Sequence, residues 1–283
     1  MGLVALAVAV APCAALAQPA DLFFERTVIS AAGDRCALFP PQVSAALAAA
    51  AQQARGAALR AGTDAKALTA MEQDARARGT GVDCKSPELA VAAARVQAAF
   101  AGFVHVSRMT YPGDAADWRA DRGQGRTPRW NLAQDATFGG DRMTFGLAGR
   151  EGALALLATA DFADGATPYA ARLVLRDTGR TTGPYLTLAG KAAPLARKLP
   201  PRAATRGFMA EARSTVGPEL APKGARTAAA FRFPATAGQA LAELDPREAV
   251  AVEFLFPGDQ VRTAYVEVGD FAAGRAFLQV AAR

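Results

Sequence analysis

The chain has 283 residues, of which 51% are hydrophobic and 20% are charged, and its formal net charge is +6. This apolar content excludes a generally disordered chain, because it suffices to build a hydrophobic core. A mean hydropathy of +0.09 excludes a protein made largely of membrane-spanning helices. The length accommodates one large domain or two ordinary ones.

The first segment is typical of a signal peptide. Residues 2–17 carry no charge and end in Ala15-Leu16-Ala17, which places small residues where signal peptidase cleaves. A membrane-spanning helix needs about 20 apolar residues, more than this run supplies. One feature departs from the signal-peptide pattern, because no lysine or arginine precedes the run. An uncleaved anchor is the alternative. We expect residues 1–17 to be removed on export, so that a periplasmic protein begins at Gln18.

Cysteine parity predicts one disulfide. Cleavage after Ala17 would leave only Cys36 and Cys84, and an even pair in an exported chain indicates a bridge. The bridge would stabilise the fold by roughly 4 kcal/mol, because it restricts the unfolded chain. Two free thiols are the alternative. Two distant cysteines and a single histidine are a poor set of zinc ligands, so we expect neither a metal nor a cofactor.

Residues 18–103 have the pattern of a helical domain. Alanine-rich or amphipathic runs over 40–62, 64–78 and 86–103 begin with proline or a capping residue. The third run carries an apolar stripe with steps of three or four residues, formed by Leu89, Ala93, Val96, Phe100 and Phe103. Each cysteine precedes a predicted helix, so the bridge would tie two helix starts in a small bundle.

Residues 104–283 have the alternating pattern of β-strands. Apolar runs near 142–148, 152–160, 169–176 and 184–189 are separated by turn residues, which predicts an antiparallel meander. The predicted fold class is therefore α+β. A disulfide-stapled helical bundle is followed by an antiparallel β-rich sandwich or open barrel with covering helices.

The end of the chain predicts a helix, a hairpin and a second helix. Thr236 has capping-box spacing with Gln239 and would open the first helix. Alternating apolar residues over 250–268 predict a hairpin that turns at Pro257-Gly258. Asp270 would then cap the final helix.

This C-terminal pattern also carries a family resemblance. Phe233-Pro234 precedes a short helix, a Val-x-Phe strand spans Val252 to Phe254, and a Phe-x-Ala helix start lies at Phe271. In these features the last fifth of the chain resembles the invasion-associated locus B family of exported bacterial proteins. The resemblance implies a β-sandwich of the cell envelope and transfers no catalytic residue.

No familiar catalytic motif stands out in the sequence. His105 is the only histidine, and Ser107 would lie on the same face of one strand. No serine stands in a Gly-x-Ser-x-Gly elbow, and no glycine-rich phosphate loop supports nucleotide binding. We therefore favour a binding or structural role in the envelope. A periplasmic hydrolase with an unrecognised active site is the alternative.

The net positive charge lies in the middle third of the chain. Residues 103–206 carry 15 basic and 9 acidic side chains. A first basic run interleaves arginines with aromatic residues, namely Arg108, Arg119, Arg122, Arg126 and Arg129 with Tyr111, Trp118 and Trp130. Its candidate anion-binding residues are Arg119, Arg122 and Arg126 together with the two tryptophans. A second basic run without acids contains Lys191, Arg197, Lys198, Arg202 and Arg206.

These two runs predict one exposed basic face. Its partner would be an anionic envelope polymer, lipid headgroups or an acidic protein, and we expect no nucleic acid. The alternative is a solvated set of arginines with the tryptophans in the core.

Overall fold

A computed structural model describes residues 18–123, 125–150, 153–186 and 193–280. The predicted signal peptide over 1–17 and the predicted basic residue Lys191 lie outside the described residues. Within the described ranges, no helix has the length and apolar content to cross a membrane.

Four helices form the first part of the described chain. They are α1 (Pro19–Cys36), α2 (Pro41–Arg60), α3 (Ala65–Gly81) and α4 (Pro87–Phe103). Proline stands in the first turn of α1, α2 and α4. A backbone N–H at this position has no acceptor within the helix, so proline loses no hydrogen bond there. The side chains of Asp64 and Ser86 accept backbone N–H groups at the starts of α3 and α4. The predicted helix starts are thus confirmed.

The predicted disulfide is confirmed. Cys36 and Cys84 are bonded, with their Cα atoms 5.6 Å apart. Cys36 is also the last residue of α1, so the bridge joins the end of α1 to the segment just before α4. A small apolar cluster around Phe23, Leu59 and Leu68 packs α1, α2 and α3 together.

The described remainder of the chain contains eleven strands and two longer helices. The strands are β1 (Arg108–Tyr111), β2 (Trp118–Asp121), β3 (Arg129–Phe138), β4 (Asp141–Arg150), β5 (Ala153–Asp161), β6 (Ala170–Arg176), β7 (Thr205–Met209), β8 (Ala212–Val216), β9 (Ala228–Phe233), β10 (Ala249–Leu255) and β11 (Val261–Glu267). The helices are α5 (Ala235–Ala242) and α6 (Phe271–Gln279), and two short 3-10 helices span Leu195–Lys198 and Arg202–Ala204.

The strands form two antiparallel sheets that share one core. The larger sheet has the order β1-β2-β3-β4-β5-β9-β8, and the smaller has the order β11-β10-β6-β7. Phe254 of the small sheet stacks on Phe138 and contacts Phe231 of the large sheet, with ring centres 5.7 and 5.6 Å apart. Phe271 of α6 packs edge-on against Trp118 at 5.1 Å. The molecule is therefore α+β, with sheets that face each other as a sandwich.

The predicted meander is only partly correct. β4 and β5 are adjacent, but β6 pairs with β10 and β7 in the other sheet. The chain crosses at Phe162, whose ring packs against Phe254 of β10 and against Phe256, which follows that strand, at 5.2 Å from each. Residues 184–186 form no strand, and 187–189 lie outside the described residues.

Two predicted helix caps are wrong. α5 begins at Ala235 with Pro234 at its N-cap, so Thr236 already lies inside the helix. Asp270 does occupy the N-cap position of α6, but its side chain makes no capping bond. Both carboxylate oxygens of Asp270 accept instead from Arg60 of α2, at 2.7 Å each.

Candidate binding sites

Arg122 is an interior residue and not part of an exposed basic face. It is 5% exposed and follows β2 directly. Its guanidinium donates to the carbonyl oxygens at the ends of two helices, Phe103 and Val104 for α4 and Val280 for α6. The last carbonyls of a helix lack partners within that helix and carry the negative end of its dipole. Arg122 therefore ties two helix ends together, and its predicted exposure is wrong.

The two tryptophans also serve the fold. Trp118 is fully buried, and its indole N–H lies 3.0 Å from the carbonyl oxygen of Val268. Trp130 is half-buried and donates to the carbonyl oxygen of Leu220 at 3.1 Å. A buried indole needs such an acceptor. Neither ring lies on an open face with the arginines. This agrees with the alternative prediction, in which the tryptophans belong to the core.

The remaining arginines of the first basic run are mostly neutralised by neighbouring acids. Arg108 and Arg129 both pair with Asp121, and Arg119 pairs with Asp135. Burial would raise the pKa of Asp121, but the Gly123 N–H and the two arginines outweigh it and hold that pKa below its usual value. Arg126 alone of the three predicted arginines is exposed without an acidic partner in the described chain.

The second basic run, unlike the first, has exposed arginines that mostly lack acidic partners in the described chain. Arg202 and Arg206 are exposed and have no acidic partner among the residues that the structure describes. The guanidinium of Arg206 lies over the ring of Phe208 at 4.5 Å. Arg197 is likewise exposed, whereas Lys198 is buried.

Arg180, which the sequence pattern did not single out, lies at the same end of the small sheet as Arg202 and Arg206. Arg180 is exposed in the turn that follows β6, and Arg202 lies just before β7. β6 and β7 are antiparallel neighbours, and the Asp177 N–H donates to the Ala204 carbonyl oxygen between them. We call Arg180, Arg202 and Arg206 the arginine cluster.

His105 and Ser107 do not form a hydrogen-bonded pair in the described structure. Both residues are exposed, in the short link between α4 and β1. Among the described residues, no group of three or more His, Cys, Asp or Glu side chains is placed to hold a metal ion.

A large apolar groove lies between α1, α2 and α4. Its volume is about 750 Å³, within the range of small-molecule sites in proteins. Its lining residues recur every three or four positions along each helix, so one face of each helix turns toward the same space. Among them are Ile29 and Ala32 of α1, Ala46 and Ala50 of α2, and Ala92 and Val96 of α4.

The apolar surface of α4 is largely uncovered. Leu89 is its only buried residue, although the helix has just Glu88, Arg95 and Gln97 as ionisable or amide side chains. Val96 and Phe100 of the predicted stripe are half-buried, and both line the groove. A helix with this composition is normally buried on most sides. The predicted stripe is present, but it faces an open groove.

No family model matches the sequence, and no match was found among curated proteins or solved structures.

Proposed function

We propose that the chain is an exported protein of the cell envelope that binds anionic lipid headgroups through the arginine cluster. The observation that carries this proposal is the exposure of Arg180, Arg202 and Arg206 without acidic partners in the described chain. Unpaired surface cations attract an anionic membrane face, each contributing about 1 kcal/mol near the surface.

One further feature supports a location in the cell envelope. The Cys36–Cys84 bridge fits an oxidising compartment such as the periplasm. The signal peptide over 1–17 and the family resemblance of the C-terminal stretch remain part of this proposal.

Vesicle co-sedimentation tests the proposal. Phosphatidylglycerol vesicles should retain the protein at 0.1 M salt and release it near 1 M, where the Debye length falls to about 3 Å. Replacing Arg202 and Arg206 with Gln removes two cations, so binding should weaken by roughly 2 kcal/mol, about 30-fold.

The matched control is the double change Arg76→Gln and Arg78→Gln on α3. These exposed arginines already pair with Glu72 and Asp74, so the net charge falls equally while retention should hold. Equal loss in both variants, or no retention of the native protein, would contradict the proposal. Retention by heparin but not by vesicles would point to an anionic polymer instead.

A further inference from the structure

The helix α4, which forms one wall of the groove, is attached to the rest of the molecule at both ends. The disulfide fixes the start of α4 to the end of α1. At the other end, Arg122 binds the Phe103 carbonyl oxygen, and the Phe103 ring packs edge-on against Phe277 at 5.6 Å. Between these two attachments α4 packs only loosely on α1 and α2, and the groove lies in that space.

We propose that this groove binds a single acyl chain that ends in a carboxylate, as in a long-chain fatty acid. The proposal is independent of the arginine cluster, which lies at the end of the small sheet. It rests on the volume of the groove, on its lining and on the charges at its edge.

The size and length of the groove suit an acyl chain. Its volume of about 750 Å³ lies within the range of small-molecule sites in proteins. Along α4 its lining extends from Glu88 to Phe103, which is about 22 Å at a rise of 1.5 Å per residue. A ligand that follows the groove is therefore long, as an extended acyl chain is.

The lining suits a methylene chain. Alanines on all three helices leave a slot between larger apolar side chains such as Ile29 and Val96. Burying a chain there would also cover the half-buried rings of Phe24 and Phe100, which line the slot. Apolar contact of this kind stabilises by about 25 cal/mol for each Å² removed from water.

The charged groups favour an anionic head. Arg26 is half-buried in the groove wall, and its guanidinium donates to the Ala50 carbonyl oxygen at 2.7 Å. Burial lowers the pKa of Arg26, and the charge of Glu25 opposes this only in part. Arg95, also in the lining, has no acidic partner in the described part of the chain. Glu25 and Glu88 also line the edge, and they are exposed, as Arg95 is, whereas Arg26 alone of the four is half-buried. A carboxylate would therefore gain most beside Arg26.

The test is fluorescence titration of the delipidated full chain with cis-parinaric acid, a fluorescent long-chain fatty acid. We expect saturable binding of one molecule per chain. Ala92→Trp fills the slot from α4 and should weaken binding at least about tenfold. Ala94→Trp adds the same side chain to an exposed position of α4 outside the lining and should leave binding unchanged. If circular dichroism shows that Ala92→Trp does not fold, Ala99→Phe is a second variant that fills the groove from α4.

The head group is tested by competition. Palmitic acid should displace the probe better than cetyl alcohol, and Arg26→Met should remove that preference. Absence of saturable binding, or equal loss with Ala92→Trp and with Ala94→Trp, would overturn the proposal. So would a change in oligomeric state by sedimentation for Ala92→Trp with fatty-acid binding intact, because the groove would then bind a second copy of the chain.

Discussion

Arg122 carries its charge into the interior without an acidic partner among the described residues. Three carbonyl oxygens from the ends of α4 and α6 accept its N–H groups. The rings of Phe103 and Phe277 lie within 5.0 and 4.5 Å of its guanidinium carbon, which adds a cation–π contribution. The Nε atom alone has no partner. At the scale of single residues, an arginine that looked like a surface cation is thus a structural cap for two helices.

Replacing Arg122 with Met should destabilise the protein by about 3 kcal/mol, because it leaves buried carbonyl oxygens without donors. Denaturant unfolding measures this directly. Arg126→Met is the control, since Arg126 is exposed, and its change should stay within about 0.5 kcal/mol. A small effect at Arg122 would show that water replaces its hydrogen bonds at little cost.

Among the elements, α4 depends most on its attachments. This helix packs less closely on α1 and α2 than those two helices pack on each other. Its start is held by the Cys36–Cys84 bridge and its end by Arg122. Because few of its own side chains are buried, the free energy that keeps α4 in place comes largely from these two ends.

Replacing both Cys36 and Cys84 with serine should lower the free energy of unfolding by up to about 4 kcal/mol. The loss should appear first in α4. Hydrogen exchange of 87–103 is expected to accelerate while that of the central strands β3 and β4 stays near its native rate. A uniform acceleration across the chain would show that α4 is not held separately by the bridge.

At the scale of the whole molecule, the helices and the sandwich are joined through α2 and α6. Arg60 and Asp270 form a bidentate ion pair whose side chains are 16% and 2% exposed. Gly56 allows this approach, since a Cβ there would come within 2.3 Å of Asp270 Oδ1. The two helices pack closely along this junction. Together with the Phe103–Phe277 contact, these interactions couple the two parts of the chain.

We therefore expect one calorimetric unfolding transition for the native protein. Arg60→Met should cost about 3 kcal/mol, because it leaves Asp270 buried without its partner, and should separate the transition into two. Arg55→Met is the control on the same helix, as Arg55 has no ion pair among the described residues. Two transitions in the native protein would mean that the junction does not couple the parts.

Local signals in the sequence predicted much of the helical part. Prolines, Asp64 and Ser86 mark helix starts through backbone chemistry within a few residues, and cysteine parity predicted the bridge. The strands were predicted less well, because a run such as 169–176 shows that it is a strand without showing its neighbour. The pairing of β6 with β10 joins residues about 80 positions apart, and nothing near β6 in sequence specifies it.

The two candidate binding sites were likewise predicted only in part from the sequence. Composition and spacing alone predict that the middle third is basic and that the third predicted helix has an apolar stripe. Which of these charges are paired depends on the fold, since Asp121 and Asp135 pair with three arginines of the first run while Arg202 and Arg206 have no acidic partner in the described chain. The fold also decides that the stripe faces a groove. Ion pairs and packing depend on distances between residues far apart in the chain, as with Arg60 and Asp270, which are 210 positions apart.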